Sequence, residues 1–251
     1  MSAPNVSQSW LVAPEDLSLS SGLVDVWRTK LDLPEAWITR YCDLLSEQER
    51  QRAARFRMTA KYNEYVITRG LLRSVLARML GGHPRQFDFS YGPHGKPDLA
   101  DRSQDRTVSF NVSHTHGLAL VALMPHRALG VDVEMKRENV ECAGLAKRFF
   151  SGSEAGALLS LPTSQQRQAF FNCWTRKEAF IKAKGQGISL GLDEFDVTLR
   201  PGEPPRLLAT CWDPQEAARW TLLDLNVGSD YAAALAVEAV EVKVRCWDAG
   251  M

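Results

Sequence analysis

Ala128-Leu-Gly-Val-Asp-Val-Glu-Met135 alternates two kinds of side chain. Leu129, Val131, Val133 and Met135 fall on one face of an extended strand, and Gly130, Asp132 and Glu134 on the other. Two carboxylates two residues apart on one face sit about 6.5–7 Å apart at the backbone. They repel unless the face is open to water or a cation draws them together, and both readings stand at this point. Downstream, Arg167–Lys184 reads as a helix whose apolar stripe is Phe170, Phe171, Trp174 and Ile181. Glu178 lies beside that stripe. Lys182 follows it by four residues, in the favourable Glu-before-Lys order. The pair is either a plain surface ion pair or part of a site in which Glu178 joins Asp132 and Glu134 around a hard divalent cation, for which Mg²⁺ suits an all-oxygen donor set. Glycines 185, 187 and 191 close the helix, and strands follow near Glu194–Leu199, Trp220–Val227 and Tyr231–Val240.

Upstream the same order of elements is expected. After a Ser/Pro-rich lead-in over residues 1 to about 20, a strand is placed at Leu23–Thr29. A helical region from Leu45 to Leu80 opens with Ser46 and Glu49 at capping-box spacing, breaks near Met58 to Lys61, and ends at Gly81, Gly82 and Pro84. Strands follow at Gln86–Tyr91, Thr107–Val112 and Leu118–Met124. Tyr91-Gly-Pro-His-Gly-Lys-Pro97 is a tight turn that would display Lys96 as a point charge. Phe110-Asn-Val-Ser-His-Thr115 would place Ser113 and His114 at a strand end, able to donate to an oxyanion. A shift of 115 residues lays Val108, Phe110, Asn111 and Val112 over Leu223, Leu225, Asn226 and Val227. The expected fold class is therefore α/β (α+β): a pseudo-twofold duplication of two helix-plus-antiparallel-sheet halves, 1–125 and 126–251, with a site in the cleft between them.

Of the 251 residues 45% are hydrophobic and 24% charged, which excludes a disordered or collagen-like chain. The longest apolar run, Gly117–Met124, falls far short of the roughly 20 residues that span a bilayer. With no signal peptide legible, no membrane is expected and the setting is read as cytoplasmic, its five scattered cysteines as reduced thiols. Thirty basic residues balance thirty acidic ones, yet Arg50 to Arg85 holds nine bases and one acid, Glu64. That local excess, with few acids interleaved, reads as a seat for a polyanion. Nucleic acid and a multiply phosphorylated small molecule are both candidates on charge alone.

The five segments YGPHGKP, FNVSHT, GVDVE, RFFS with a following Glu, and WTRKEAFIK with KGQG behind it resemble, in this order, the Sfp-type 4'-phosphopantetheinyl transferases. The resemblance covers roughly Leu44 to Phe195. It implies transfer of the 4'-phosphopantetheine arm of coenzyme A, a co-substrate, to a serine of an acyl or peptidyl carrier protein, with Mg²⁺ as cofactor. It further implies a monomer and no nucleic-acid partner. By position, Asp132, Glu134 and Glu178 resemble the magnesium ligands, Asp132 also reaching the coenzyme, and Glu178 and Lys182 resemble the catalytic pair. Arg52, Lys96, Ser113 and His114 resemble the coenzyme A phosphate contacts, with Arg55 and Arg69 as further candidates. Thr115 stands where many relatives carry Ser. Tyr65 stands where some carry a Thr that contacts the coenzyme.

Overall fold

Ser46 and Glu49 form the box their spacing predicts. The Glu49 backbone N–H donates to Ser46 Oγ at 3.3 Å, and the Ser46 N–H donates to Glu49 Oε2 at 3.0 Å. The computed structural model describes residues 9–100 and 108–250, so the expected strand start at Thr107 lies outside the described residues. Two units divide them, one holding 9–126 with 243–250 and the other 127–242.

The first unit runs β1 (Trp10–Val12), β2 (Leu23–Lys30), α1 (Glu35–Leu44), α2 (Glu47–Ala53), α3 (Thr59–Leu80), β3 (Phe89–Tyr91), β4 (Pro97–Leu99), β5 (Val108–Thr115) and β6 (Leu118–Pro125). The second runs β7 (Leu129–Met135), α4 (Cys142–Phe149), α5 (Gly152–Leu159), α6 (Thr163–Lys184), β8 (Phe195–Val197), β9 (Leu207–Thr210), β10 (Thr221–Asp224) and β11 (Tyr231–Val237). Then β12 (Lys243–Asp248) returns to the first unit, where it lies parallel to both β1 and β2. This gives the first sheet the order β1-β12-β2-β6-β5, so that unit is not purely antiparallel. No helix among the described residues is long and apolar enough to cross a membrane.

The two units share one connectivity. In each, the strand before the long helix pairs antiparallel with the second strand of the hairpin that follows it: β2 with β6, and β7 with β11. The first strand of that hairpin, β5 or β10, lies outside its partner. The helix between, α3 or α6, is 22 residues long in both. Ile67, Leu71, Leu72 and Leu76 of α3 join Phe110, Val121 and Leu123 of the sheet in the first core. Phe170, Phe171, Phe180 and Ile181 of α6 join Phe150, Phe195 and Leu222 in the second.

Glu49 does more than cap α2. Its carboxylate is buried and accepts from Arg73 Nε at 2.5 Å and Arg69 Nε at 2.9 Å. Burial alone would push this carboxyl up, but the Arg73 hydrogen bond and the Arg69 charge outweigh it and hold the group below the ordinary carboxylate value. A depressed acid stabilises the fold above its unfolded value, and that stability is lost as pH falls through the folded one. Glu49→Gln strands the buried Arg73 guanidinium. It should cost about 3–5 kcal/mol at neutral pH and flatten the loss of stability below about pH 4.5, as read by chemical denaturation across pH.

Candidate active site

On β7, Gly130, Asp132 and Glu134 do share a face, and it is not an open polar surface: Asp132 is buried and Glu134 half-buried. Their cross-strand partners on β11 are Ala236, Ala234 and Ala232. Three alanines and a glycine make a low floor, and α6 lies on it. A Cβ at residue 130 would stand 2.1 Å from the Ala179 carbonyl oxygen and 2.4 Å from the Ala183 nitrogen. Only glycine permits that approach. The turn of α6 pressed onto Gly130 is the one that carries Glu178 and Lys182.

Lys182 Nζ consequently donates to Asp132 Oδ1 at 2.6 Å, an ion pair across elements where the spacing pointed to Glu178 within the helix. Glu178 is half-buried. Burial pushes its carboxyl above the ordinary range, the Asp132 charge pushes it further, and Lys182 offsets part of the rise. Asp132, Glu178 and Lys182 are thus one electrostatic group. Among the described residues no three His, Cys, Asp or Glu side chains gather closely enough to hold a metal ion, so the assembled unit is two carboxylates and an ammonium. The two carboxylates still fit a hard cation, which is bound by carboxylate oxygens and would relieve both the burial and the Asp132 charge that raise Glu178.

Lys177, next to Glu178 in the chain, belongs to an ion pair that the spacing did not point to. Lys177 is fully buried, 2.7 Å from Glu154 Oε2, and donates to the carbonyl oxygens of Leu192 and Phe195. Glu154 Oε1 accepts from the Val197 N–H at 2.7 Å, and its backbone closes the Ser151 capping box. Burial raises the Glu154 carboxyl despite its lysine. The Glu that follows RFFS therefore ties α5, α6 and β8 together. Arg176, equally buried, clamps Asp224 Oδ2 at 2.6 Å and the Thr198 carbonyl. One signal was available in the sequence: three consecutive charges, Arg176-Lys177-Glu178, cannot all face water on a helix whose neighbours are aromatic.

In the first unit the basic segment reads differently once partners are seen. Arg50 pairs with Glu47 and Lys61 with Glu64. Arg69 and Arg73 converge on Glu49. Arg78 donates to the carbonyls of Ala13 and Pro14, and Arg85 to that of Asp43. Six of the nine bases, Arg69 among them, therefore have partners within the fold, and the expectation of a run with few acids to pair with it is corrected. Arg52, Arg55 and Arg57 are exposed. Lys96 follows Gly95, whose φ of 77° makes the turn, but it is only half exposed, and burial lowers its ammonium while Asp98 pulls it back. Ser113 and His114 lie within β5 rather than beyond it, Ser113 buried and His114 exposed.

Known proteins align with both units. The 4'-phosphopantetheinyl transferase superfamily matches residues 128–236, and the family described as 4'-phosphopantetheinyl transferase, N-terminal, matches residues 33–126. The 4'-phosphopantetheinyl transferase HetI of Nostoc sp. is 38% identical over 242 residues, covering 96% of this chain and 99% of that one. The 4'-phosphopantetheinyl transferase Sfp of Bacillus subtilis is 32% identical over 160 residues, 64% of this chain and 69% of its own. The L-aminoadipate-semialdehyde dehydrogenase-phosphopantetheinyl transferase of Xenopus laevis is 29% identical over 208 residues, 77% of this chain and 68% of its own.

Gly130→Ala should force α6 off β7, costing about 1–3 kcal/mol or more together with most of the activity. Gly156→Ala in α5, where an added Cβ meets nothing within 4 Å, should gain about 0.5–1 kcal/mol and leave activity intact. Thermal melts and turnover of the two variants check the contrast.

Proposed function

The chain belongs to the 4'-phosphopantetheinyl transferases, and on that footing we propose that it moves the 4'-phosphopantetheine arm of coenzyme A onto a serine hydroxyl of an acyl or peptidyl carrier protein, with Mg²⁺, releasing adenosine 3',5'-bisphosphate. The observation that carries the reading is the Asp132–Glu178–Lys182 group, gathered from β7 and α6.

Asp132 and Glu178, with Glu134 two residues along the same face, would hold the ion. When bound, Mg²⁺ supplies positive charge to the pyrophosphate oxygens. The remaining work falls to side chains. The serine Oγ attacks the β-phosphorus, the bond from that phosphorus to the bridging oxygen breaks, and the nucleotide leaves with the electron pair. Glu178 is assigned to accept the serine proton, since it stands half-buried on the turn of α6 that meets Asp132 and Lys182. Lys182, held by Asp132 and partly open to water, is assigned to the charge developing on the leaving α-phosphate. In the first unit Arg52, Lys96, Ser113 and His114, with Arg55 beside them, are assigned to the phosphates of coenzyme A.

The nucleic-acid alternative loses its ground, because most of the basic segment is tied to carboxylates and carbonyls of the same fold. Intact mass of an apo carrier protein should rise by one phosphopantetheine arm on incubation with coenzyme A and Mg²⁺, and should not rise with chelator. Asp132→Ala should abolish the gain while the chain stays folded. Lys182→Ala should lower kcat by about 10²–10³-fold with a smaller change in the KM for coenzyme A. An unchanged kcat with a raised KM would assign Lys182 to binding instead.

A further inference from the structure

Arg69, Arg73 and Arg78 lie over aromatic rings as Arg52 does, but they also reach polar partners in the fold. Arg50, Lys61, Arg69 and Arg73 reach carboxylates, and Arg78 and Arg85 reach backbone carbonyls. Arg52 lies exposed in the last turn of α2, with its guanidinium carbon 5.6 Å from the ring centroid of Tyr65. That ring packs at 5.4 Å and 41° against Phe56. The carboxylate within helical reach of Arg52 is Glu49, three residues back, and both its oxygens already accept from Arg69 and Arg73. Among the described residues Arg52 thus lies beside an aromatic ring with the one carboxylate in helical reach already engaged. A ring face attracts a guanidinium without consuming its in-plane N–H donors, which stay available to fork onto phosphate oxygens.

We propose that Tyr65 is a positioning residue for Arg52, holding its guanidinium for a terminal phosphate monoester. Under the functional reading above, on which this rests, that group is the 3'-phosphate of coenzyme A. Tyr65 then tunes the preference for coenzyme A over its 3'-dephospho form through the stack, and its hydroxyl is dispensable.

The test measures kcat and KM with coenzyme A and with dephospho-coenzyme A for Arg52→Ala, Tyr65→Leu, Tyr65→Phe and the Arg52→Ala/Tyr65→Leu pair. Tyr65→Leu should raise the coenzyme A KM about two- to fivefold at constant kcat, with a smaller effect on the dephospho substrate. Tyr65→Phe should behave as the parent, and Tyr65→Leu should add nothing in the Arg52→Ala background. Equal losses on both substrates, a Tyr65→Phe defect matching Tyr65→Leu, or additive losses in the pair would overturn the proposal. If Arg52→Ala raises KM and Tyr65→Leu does not, the positioning role falls and the phosphate role of Arg52 survives. If Arg52→Ala leaves KM unchanged, both fall. Should Tyr65→Leu destabilise the chain, phenylalanines of increasing fluorination at position 65 keep the ring's shape while draining its face of negative potential. KM should then climb with fluorine at constant melting temperature, and a flat series would overturn the proposal.

Discussion

A hydrogen atom in place of a side chain at residue 130 decides how closely α6 can approach β7. The helix backbone at Ala179 and Ala183 occupies the volume a Cβ would need. Alanines opposite Gly130, Asp132 and Glu134 keep the rest of the floor low. Because the helix sits so near, side chains one position before Ala179 and one before Ala183 come level with Asp132. Backbone contact thus sets the distance between charges, and the charges set the chemistry. Burial and then the Asp132 charge make Glu178 harder to ionise, and the Lys182 ammonium paired with Asp132 offsets part of the rise.

The buried pairs under α6 belong to the same arrangement. Lys177 satisfies all three of its donors on Glu154 and two carbonyls, while Arg176 holds Asp224 and Thr198. Their neighbour in sequence, Glu178, is left on the flank that meets β7. Breaking either pair would leave a buried charge uncompensated, so they restrain the helix about its own axis. This accounts for a run of three charges inside a helix whose other faces are aromatic.

Much of this was legible before any coordinates. β7 begins and ends at the residues its alternation marks, α6 ends at the expected glycine, and the Ser46 box stands where spacing puts it, while the break expected near Met58 to Lys61 lies a few residues earlier, between Ala53 and Thr59. These features rest on local periodicity or on contacts three residues apart. What escaped depends on distant partners. No strand was expected after Val240 and residues 243–248 were counted with the second half, yet β12 forms there and pairs with β2 from the other end of the chain. The helices α1, α4 and α5 are each ten residues or fewer, under three turns, so their apolar pattern repeats too few times to stand out. In the Arg50–Arg85 run Arg50–Glu47 and Lys61–Glu64 are local pairs, but the other partners are one buried acid shared by two arginines and carbonyls up to 65 residues away. The repeat is real in connectivity, but a shift of 115 finds the hairpins and misses the helices: α3 and α6 begin 104 residues apart, at 59 and 163.

The proposed chemistry requires Asp132 and Glu178 to share one electrostatic neighbourhood. Carbon-13 NMR titration of a selectively labelled Glu178 carboxyl, in the parent chain and in Asp132→Asn, measures that directly. The carboxyl should titrate above the ordinary glutamate value in the parent and move down once the Asp132 charge is gone, burial alone holding up the remainder. A Glu178 carboxyl that titrates identically in both proteins would mean that β7 and α6 do not bring these acids together.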